Sequence, residues 1–369
     1  MYTRILVVIV ATAYAVNGGR LLDPEYLNRN YQRTPLGDAI DKASLKLLNE
    51  AYKSAADKNV VSSPLGIMTL LALFEEGAGP ETKQQINQYL GVSDNQKSSE
   101  SFSDLSKKLA EDPSYLTVAN KIYVSDRYTL NDHFADVAKT YDSGVETINF
   151  GNRETAAAAI NKWADEKTKG HIKDPVKADT LDPATAVALF NVIFFQGHWA
   201  ETFSKHYTVD KDFHINNSTT VKKPTMHLLE YLFYTENKEL GAKMIELPFI
   251  EEGFRMVVVL PDEIDGLPKV LEKAAETGLL TDVGISNMFQ EGAPGIVKDD
   301  TVVVSEASQD AFIKIDEEGV IAAALTTFYG VPTSAIIRVR PPIIFKVDHS
   351  FLYLILYQDK ILFAGTVTH

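Results

Sequence analysis

Two short and almost uninterrupted apolar segments constrain the fold of this chain most. They span 186–195, Ala-Val-Ala-Leu-Phe-Asn-Val-Ile-Phe-Phe, and 254–260, Phe-Arg-Met-Val-Val-Val-Leu. Their lengths and their β-branched and aromatic residues are typical of strands that are covered on both faces. Such strands need protein layers on either side, so the chain must build a large core. Its 369 residues, 45% of them hydrophobic, are enough for one.

Helical patterns dominate the first half of the chain, and strand patterns dominate the rest. Four helices are predicted: 38–58, from Ser63-Pro64 to Gly77, 81–90 and 156–168. Besides the two apolar segments, strands are predicted at 115–124, 244–249, 301–305, 311–315, 343–347, 351–356 and 361–366. This order lacks the regular alternation of a parallel doubly wound sheet, so it predicts an α+β fold. Because no linker or change of composition interrupts it, we expect a single domain.

The N-terminus has the features of a secretory leader. A short basic start, Met1–Arg4, precedes the apolar run Ile5–Val16, and Ala13 and Ala15 supply the small residues that signal peptidase recognises. We expect a signal peptide over residues 1–15, with cleavage near Ala15 or Gly18, and a secreted, extracellular protein. The alternative is that the same run forms a buried N-terminal strand. No later segment approaches roughly twenty apolar residues, so no membrane partner is expected.

Two overlapping sequons agree with export. Asn216-Asn217-Ser218 and Asn217-Ser218-Thr219 lie in a polar, turn-like stretch, which makes Asn216 and Asn217 candidate glycosylation sites. Motifs this short also arise by chance, so they add little to the case for secretion.

The charge balance and the absence of cysteine exclude several classes of function. The chain has 36 lysine and arginine residues against 50 aspartate and glutamate residues, a net charge of −14, and no local basic stripe. An acidic surface repels phosphate backbones, so nucleic acid is not an expected partner. Without cysteine there is no disulfide, no thiolate metal site and no cysteine nucleophile.

Catalytic motifs are missing from the sequence. It contains no G-x-S-x-G, H-E-x-x-H, Walker A or G-x-G-x-x-G motif. The spacing of His198, His206 and His214 matches no tight zinc signature, so we interpret them as ordinary surface histidines. The pairs Glu75-Glu76 and Glu251-Glu252 are interpreted as solvated charge. The sequence thus predicts no cofactor, no metal and no enzymatic activity.

The most unusual segment lies near the C-terminus. The polar residues 316–319, Asp-Glu-Glu-Gly, end a strand, and the following run 320–327 is favourable to both helix and strand. The stretch 328–340 then mixes aromatic and aliphatic residues with two arginines. A long apolar connection between two strands is uncommon unless it binds something, although an ordinary helix and connector would also account for it.

Several motifs in the correct order resemble the serpin family over nearly all of residues 20–369. Residues 59–67, Asn-Val-Val-Ser-Ser-Pro-Leu-Gly-Ile, resemble its shutter motif, and residues 191–199, Asn-Val-Ile-Phe-Phe-Gln-Gly-His-Trp, resemble its N-x-x-x-F-K-G-x-W strand. Residues 160–172, 345–351 and 363–367 are similar to further family segments. The resemblance implies a fold of helices packed on three sheets with an exposed reactive loop over about 317–341. It implies four shutter residues: Asn59, Ser63, Pro64 and Asn191.

The resemblance also implies a function as an inhibitor that a protease attacks as a suicide substrate. After cleavage, the N-terminal part of the loop, called the hinge, enters the main sheet as an extra strand. The hinge residues would be Glu317, Glu318, Gly319, Val320, Ala322, Ala323, Ala324 and Thr326. With a period of two, Val320, Ala322, Ala324 and Thr326 share the inward face and bring no charge into the sheet.

The spacing usual in the family places the scissile bond between Thr333 and Ser334, which suits an elastase-like pocket. Other residues could be the reactive one: Phe328 or Tyr329 for a chymotrypsin-like enzyme, and Arg338 for a trypsin-like one. Cleavage after Gly330 would suit a papain-like cysteine protease. The expected partner is a serine or papain-like cysteine protease, extracellular or lysosomal, and the inhibitor is expected to be a monomer.

Departures from the family pattern support a different hypothesis. Gly66 replaces a serine, Ser350 replaces a proline, and Val320, Ile321 and Leu325 are bulkier than usual hinge residues. Between Leu260-Pro261 and Gly284-Ile285 the chain is shorter than the family pattern, which would remove an edge of the main sheet. The alternative function is therefore that of a non-inhibitory substrate, carrier or storage protein.

Overall fold

The computed structural model describes residues 8–13, 34–55, 58–90, 98–111, 114–230, 232–277, 293–298, 300–313, 316–317 and 343–369. Within these ranges the chain forms seven α-helices and two short 3-10 helices, Ala178–Thr180 and Lys205–Tyr207. The α-helices are α1 (Pro35–Ser54), α2 (Pro64–Gly77), α3 (Pro80–Leu90), α4 (Ser98–Leu109), α5 (Asp132–Thr140), α6 (Arg153–Lys167) and α7 (Leu267–Thr277). None of the helices in the described ranges is both long and apolar enough to span a membrane.

The strands form three sheets, which is the number that the resemblance implies. The strands are β1 (Val8–Ala13), β2 (Val60–Ser62), β3 (Leu116–Ser125), β4 (Gly144–Ile148), β5 (Val187–Phe195), β6 (Val209–Asn216), β7 (Thr219–Glu230), β8 (Phe233–Asn237), β9 (Ala242–Pro248), β10 (Phe254–Pro261), β11 (Val304–Ile313), β12 (Ile343–Lys346), β13 (Phe351–Tyr357) and β14 (Lys360–Val367). The main sheet has the order β11-β5-β3-β4, the large sheet β2-β14-β13-β10-β9-β8, and the third sheet β12-β1-β7-β6.

Strand β5 is buried on both of its faces, which explains its apolar sequence. Every residue of β5 is buried, because one of its faces packs on the main hydrophobic core and the other on the side chains of α6. Val187, Ile193 and Phe195 belong to the first cluster, and Phe190 and Val192 to the second. The prediction of a strand covered on both faces is confirmed.

Strand β11 corrects the sequence prediction of two separate strands at 301–305 and 311–315. The structure has one strand, Val304–Ile313, whose register with β5 is maintained from Glu306 to Ile313 after a bulge near its start. The intervening Ser308, Gln309 and Asp310 read as a break because polar residues are uncommon in buried strands. Pairing with β5 overrides that local preference. We call the parallel junction of β5 and β11 the seam.

The segment that the sequence predicts as a leader forms strand β1 in the full chain. Val8–Ala13 runs parallel to Thr225–Glu230 of β7 and antiparallel to Ile343–Lys346 of β12. This strand is consistent with the alternative interpretation of the run, and it does not decide between an N-terminal strand and a cleaved leader. Removal of the leader and export stay predictions, and in a processed chain the third sheet would lack its connection between β7 and β12.

Candidate functional site

The first functional region lies where helix α2 begins beside the main sheet. Ser63 is the N-cap of α2, and its Oγ accepts from the N–H of Gly66 at 3.4 Å and donates to the carbonyl of Leu362 at 2.7 Å. Pro64 follows at the first helical position, where its missing N–H costs nothing. The predicted helix start is thus confirmed, and it ties the main sheet region to β14 of the large sheet.

Three side-chain amides cross the main sheet in a single row. Asn120 of β3 lies opposite Asn191 of β5, and Asn191 lies opposite Gln309 of β11. Asn191 Nδ2 donates to Asn120 Oδ1 at 2.7 Å, and Gln309 Nε2 donates to Asn191 Oδ1 at 2.8 Å. We call these three residues the amide row. It crosses the seam, so the seam cannot open without breaking the bond between Gln309 and Asn191.

Gln309 also connects the amide row to the start of α2. Its Oε1 accepts from the backbone N–H of Ser63 at 2.9 Å, and its Nε2 donates to the carbonyl of Ser63 at 2.6 Å. Gln309 and Asn120 were absent from the predicted site. Asn120 is a polar residue within a predicted strand, as Asn191 is, and that signal could have identified it, whereas Gln309 lies between the two strands that the sequence predicts for β11.

Gly66 has a direct structural reason at the predicted serine position. A Cβ at Gly66 would lie 2.3 Å from Asn191 Oδ1, closer than real side chains approach. Asn191 is 1% exposed and is held by its bonds within the amide row. The departure from the family motif therefore makes room for the amide row.

Asn59 lies against the C-terminal residues. Its Oδ1 accepts from the backbone N–H of Thr368 at 2.7 Å, and its Nδ2 contacts the ring of His369. Of the four predicted shutter residues, the structure brings Ser63, Pro64 and Asn191 together and places Asn59 against the C-terminal residues instead.

The second region lies at the end of the seam, where β5 and β11 both terminate. Trp199 is 2% exposed, and its indole Nε1 donates to the carbonyl of Asp316 at 2.9 Å. Asp316 directly precedes Glu317, the first predicted hinge residue. The bond therefore connects the chain that continues from β5 to the base of the predicted hinge.

Aromatic packing fixes Trp199 in this position. Its ring stacks on Phe249 with centroids 4.5 Å apart and meets Phe203 edge-on at 5.7 Å. Gly197 is needed nearby, because a Cβ there would come within 2.7 Å of the Phe249 ring.

The residue before Trp199 binds a buried carboxylate. Glu251 Oε2 accepts from the backbone N–H of His198 at 3.0 Å, and Oε1 contacts His198 Nδ1. The side chain of Glu251 is 8% exposed and that of His198 is 24% exposed. The prediction of a solvated Glu251 is therefore wrong, and His198 is partly exposed and bound to that carboxylate. Glu75 is also buried, at 4%, and bonds Asn87 at 2.7 Å.

The chain that follows the reactive loop is held by a carboxylate. Asp348 Oδ2 pairs with Lys346 Nζ at 2.7 Å, and Oδ1 contacts His349 Nδ1 at 2.9 Å. Burial alone would raise the pKa of Asp348, but the hydrogen bonds from His349 and Lys346 outweigh it and lower that pKa to about 2. The backbone carbonyl of Asp348 also accepts from the N–H of His214 at 2.7 Å, which ties this segment to β6.

The candidate glycosylation sites lie at the turn between β6 and β7. Asn216 Oδ1 accepts from the N–H of Ser218 at 2.9 Å and is half-buried, whereas Asn217 is exposed and bonds Asp265. Asn217 is thus the more accessible of the two.

The remaining predicted site residues lie outside the described residues. These are Glu318, Gly319, Val320, Ala322, Ala323, Ala324 and Thr326 of the hinge, and Phe328, Tyr329, Gly330, Thr333, Ser334 and Arg338 of the candidate reactive bonds. Within the described part of the chain, no group of three His, Cys, Asp or Glu side chains could hold a metal ion. The contacts at the start of α2 and along the seam consist of amides, a hydroxyl and an indole, and they connect strands to one another.

Comparison with known proteins adds a family to this geometry. The sequence model described as "Serpin (serine protease inhibitor)" matches residues 38–281 and 274–369. The two matches overlap at 274–281, within the stretch for which the sequence predicts a shortened chain.

Two curated insect proteins are similar over most of their length. Antitrypsin from Bombyx mori is 32% identical over 360 residues, which cover 88% of this chain and 92% of that protein. Alaserpin from Manduca sexta is 30% identical, and the alignment covers 90% of this chain and 93% of that protein. The crystal structure of Serpin48, a highly specific serpin of the insect Tenebrio molitor, is 28% identical, covers 95% of this chain and all of that one, and superposes with a TM-score of 0.79.

Proposed function

The chain belongs to the serpin family, and from this premise we propose that it inhibits a protease of the serine or papain-like cysteine class as a suicide substrate. The family is one of protease inhibitors rather than enzymes. The relatives named antitrypsin and alaserpin support serpin-type inhibition for this chain.

The observation that carries the proposal is the closed seam with the hinge at its end. β5 and β11 run parallel and bond each other directly, and Asp316 follows β11 at the point where Trp199 holds it. A segment that turns back after β11 would run antiparallel to both β11 and β5. It could therefore enter the seam as a central strand once the loop between β11 and β12 is cut.

Insertion would replace one parallel ladder by two antiparallel ones. Antiparallel pairing is slightly more stable per residue, and the new strand would also satisfy its own backbone groups. The inward residues Val320, Ala322, Ala324 and Thr326 would enter without charge. The gain in pairing is the proposed source of the energy that traps the protease.

The proposed scissile bond is Thr333-Ser334, for an elastase-like protease. Phe328, Tyr329, Gly330 and Arg338 are the alternative sites, each with a different protease specificity. We also propose that residues 1–15 are a leader and that Asn217 or Asn216 is glycosylated. The chain would then be a secreted protein that inhibits an extracellular or lysosomal protease.

One experiment tests the proposal directly. The protein is incubated with elastase, chymotrypsin, trypsin and a papain-like protease, and the mixtures are searched for complexes that survive denaturant. Sequencing of the released peptide identifies the bond. A Thr333→Arg variant should transfer complex formation from elastase to trypsin, and Thr327→Arg is the matched control. Cleavage by all four enzymes without any complex would contradict inhibition.

A non-inhibitory role is the second candidate, and one observation favours it. Within the described residues, β11 is the outer strand of the main sheet and has a neighbour on the β5 side alone. An outer strand is held by one ladder, so β11 could move away instead of accepting a new strand. In that case cleavage of the loop would leave the melting temperature unchanged, whereas insertion would raise it.

A further inference from the structure

Glu251 is a buried carboxylate with no role in the inhibitory reaction proposed above. It lies just beyond β9, and its side chain is 8% exposed. Both of its oxygens bind one residue: Oε2 accepts the backbone N–H of His198, and Oε1 contacts the ring Nδ1. The Glu251 side chain therefore contacts both the backbone and the ring of His198. A buried charge is retained where such bonds compensate its lost hydration.

The backbone around His198 is fixed by the same stretch of chain. The carbonyl of His198 accepts from the N–H of Ile250 at 2.7 Å, and the N–H of Ala200 donates to the carbonyl of Pro248 at 3.0 Å. Trp199 lies between these two bonds and forms an isolated antiparallel bridge with Phe249. Glu251 thus closes the outer end of a short ladder whose middle residue is Trp199.

We propose that Glu251 is a positioning residue for loop insertion. By holding His198, it keeps the indole N–H of Trp199 directed at the carbonyl of Asp316, and this contact keeps the end of the seam closed in the uncut protein. Without Glu251, His198 keeps its bond to Ile250 but loses the contacts that fix its N–H and its ring. Trp199 then moves more freely, and the seam opens more often. This inference rests on the proposed function, because the contact between Trp199 and Asp316 closes the same seam that the proposed reaction opens.

The direction of the effect follows from where insertion must start. Glu317 follows Asp316 directly, so the hinge reaches the seam first at the bond between Trp199 and Asp316. When the bond between Trp199 and Asp316 is weaker, a strand therefore inserts into the seam faster, even when no protease is present. A peptide with the hinge sequence is a direct probe of this opening.

The test measures how fast the uncut full chain takes up a labelled synthetic peptide of residues 317–330. Glu251→Ala should accelerate uptake about tenfold, as expected for loss of a charge-assisted hydrogen bond. Glu251→Gln keeps the shape and one acceptor, so its rate should lie between those of Glu251→Ala and the unaltered chain. Glu252→Gln, an exposed neighbour with the same loss of charge, is the matched control and should leave the rate unchanged.

Tryptophan fluorescence distinguishes a local loosening of Trp199 from a general loss of stability. The chain has two tryptophans, so in a Trp163→Phe background Trp199 is the only indole. Glu251→Ala should shift its emission to longer wavelength well below the melting temperature, and Glu252→Gln should not. Equal uptake by the Glu251 variants and the control, or no uptake by any of them, would overturn the inference. Failure of the proposed function is a separate result, namely no covalent complex with any protease.

Discussion

The side-chain amide of Gln309 in β11 donates to Asn191 Oδ1 in β5 at 2.8 Å, across the two strands that form the seam. The same Gln309 binds both backbone groups of Ser63 at the N-cap of α2. One side chain therefore joins three elements at the place where the proposed reaction separates two of them. Both side chains are neutral amides, so the bond can be broken without moving a charge.

Replacement of Gln309 by alanine should destabilise the uncut protein by about 1–3 kcal/mol, because it leaves buried groups of Asn191 and Ser63 without a partner. Urea unfolding monitored by circular dichroism measures the change. Ser308→Ala, one residue earlier and on the opposite face of β11, is the control and should alter stability by less than about 0.5 kcal/mol. An equal effect of both variants would argue against the amide row.

Replacement of Gly66 by alanine should also destabilise the protein, because the added Cβ collides with Asn191 Oδ1. Overpacking of this kind costs about 1–3 kcal/mol. In an Asn191→Ala background the space is open, so the same Gly66→Ala change should cost much less. A double-mutant cycle from thermal unfolding gives the coupling. Additive effects would show that the collision is relieved in some other way.

Asp348 should stabilise the fold in a pH-dependent manner. Its folded pKa of about 2 is below the unfolded value of 3.8, so the stabilisation is present above pH 3.8 and is lost as the pH falls towards 2. Asp348→Asn should cost about 1 kcal/mol at pH 7, since partial exposure and salt reduce the gain. The two proteins should converge near pH 2. Asp179→Asn, an exposed carboxylate, is the control, and a difference that persists at pH 2 would contradict this assignment.

Deletion of residues 1–19 should lower the melting temperature of the chain. It removes β1, which pairs with both β7 and β12, and leaves two strand edges without their ladders. Deletion of residues 1–7 keeps Val8–Ala13 and is the matched control. Calorimetry on the full chain and both deletions measures the effect. Identical melting of all three would mean that β1 contributes nothing to the stability of the third sheet.

Much of the fold follows from local patterns in the sequence. Ser63-Pro64 gives a cap and a first helical residue, so the start of α2 could be predicted from two residues. The apolar run of β5 could be recognised as a strand covered on both faces from its short length and its β-branched and aromatic residues. The order of such elements was enough for the α+β fold, and the motifs were enough for the family.

Contacts between distant parts of the chain could not be predicted in this way. Asn120, Asn191 and Gln309 form one row only because the registers of β3, β5 and β11 align them. Glu251 looks like one of two solvated glutamates until the chain that follows β9 pairs with His198 and Trp199.

The sequence by itself therefore determined the family and a part of the secondary structure, namely helices α1, α2, α3 and α6 and strands β3, β5, β9, β10, β12, β13 and β14. The tertiary structure decided which polar residues are buried together and which ends of strands meet at the hinge. The physical reason is that a periodic pattern records only which face of an element is apolar. The register between strands, by contrast, is fixed by the backbone hydrogen bonds and the packing of the whole sheet.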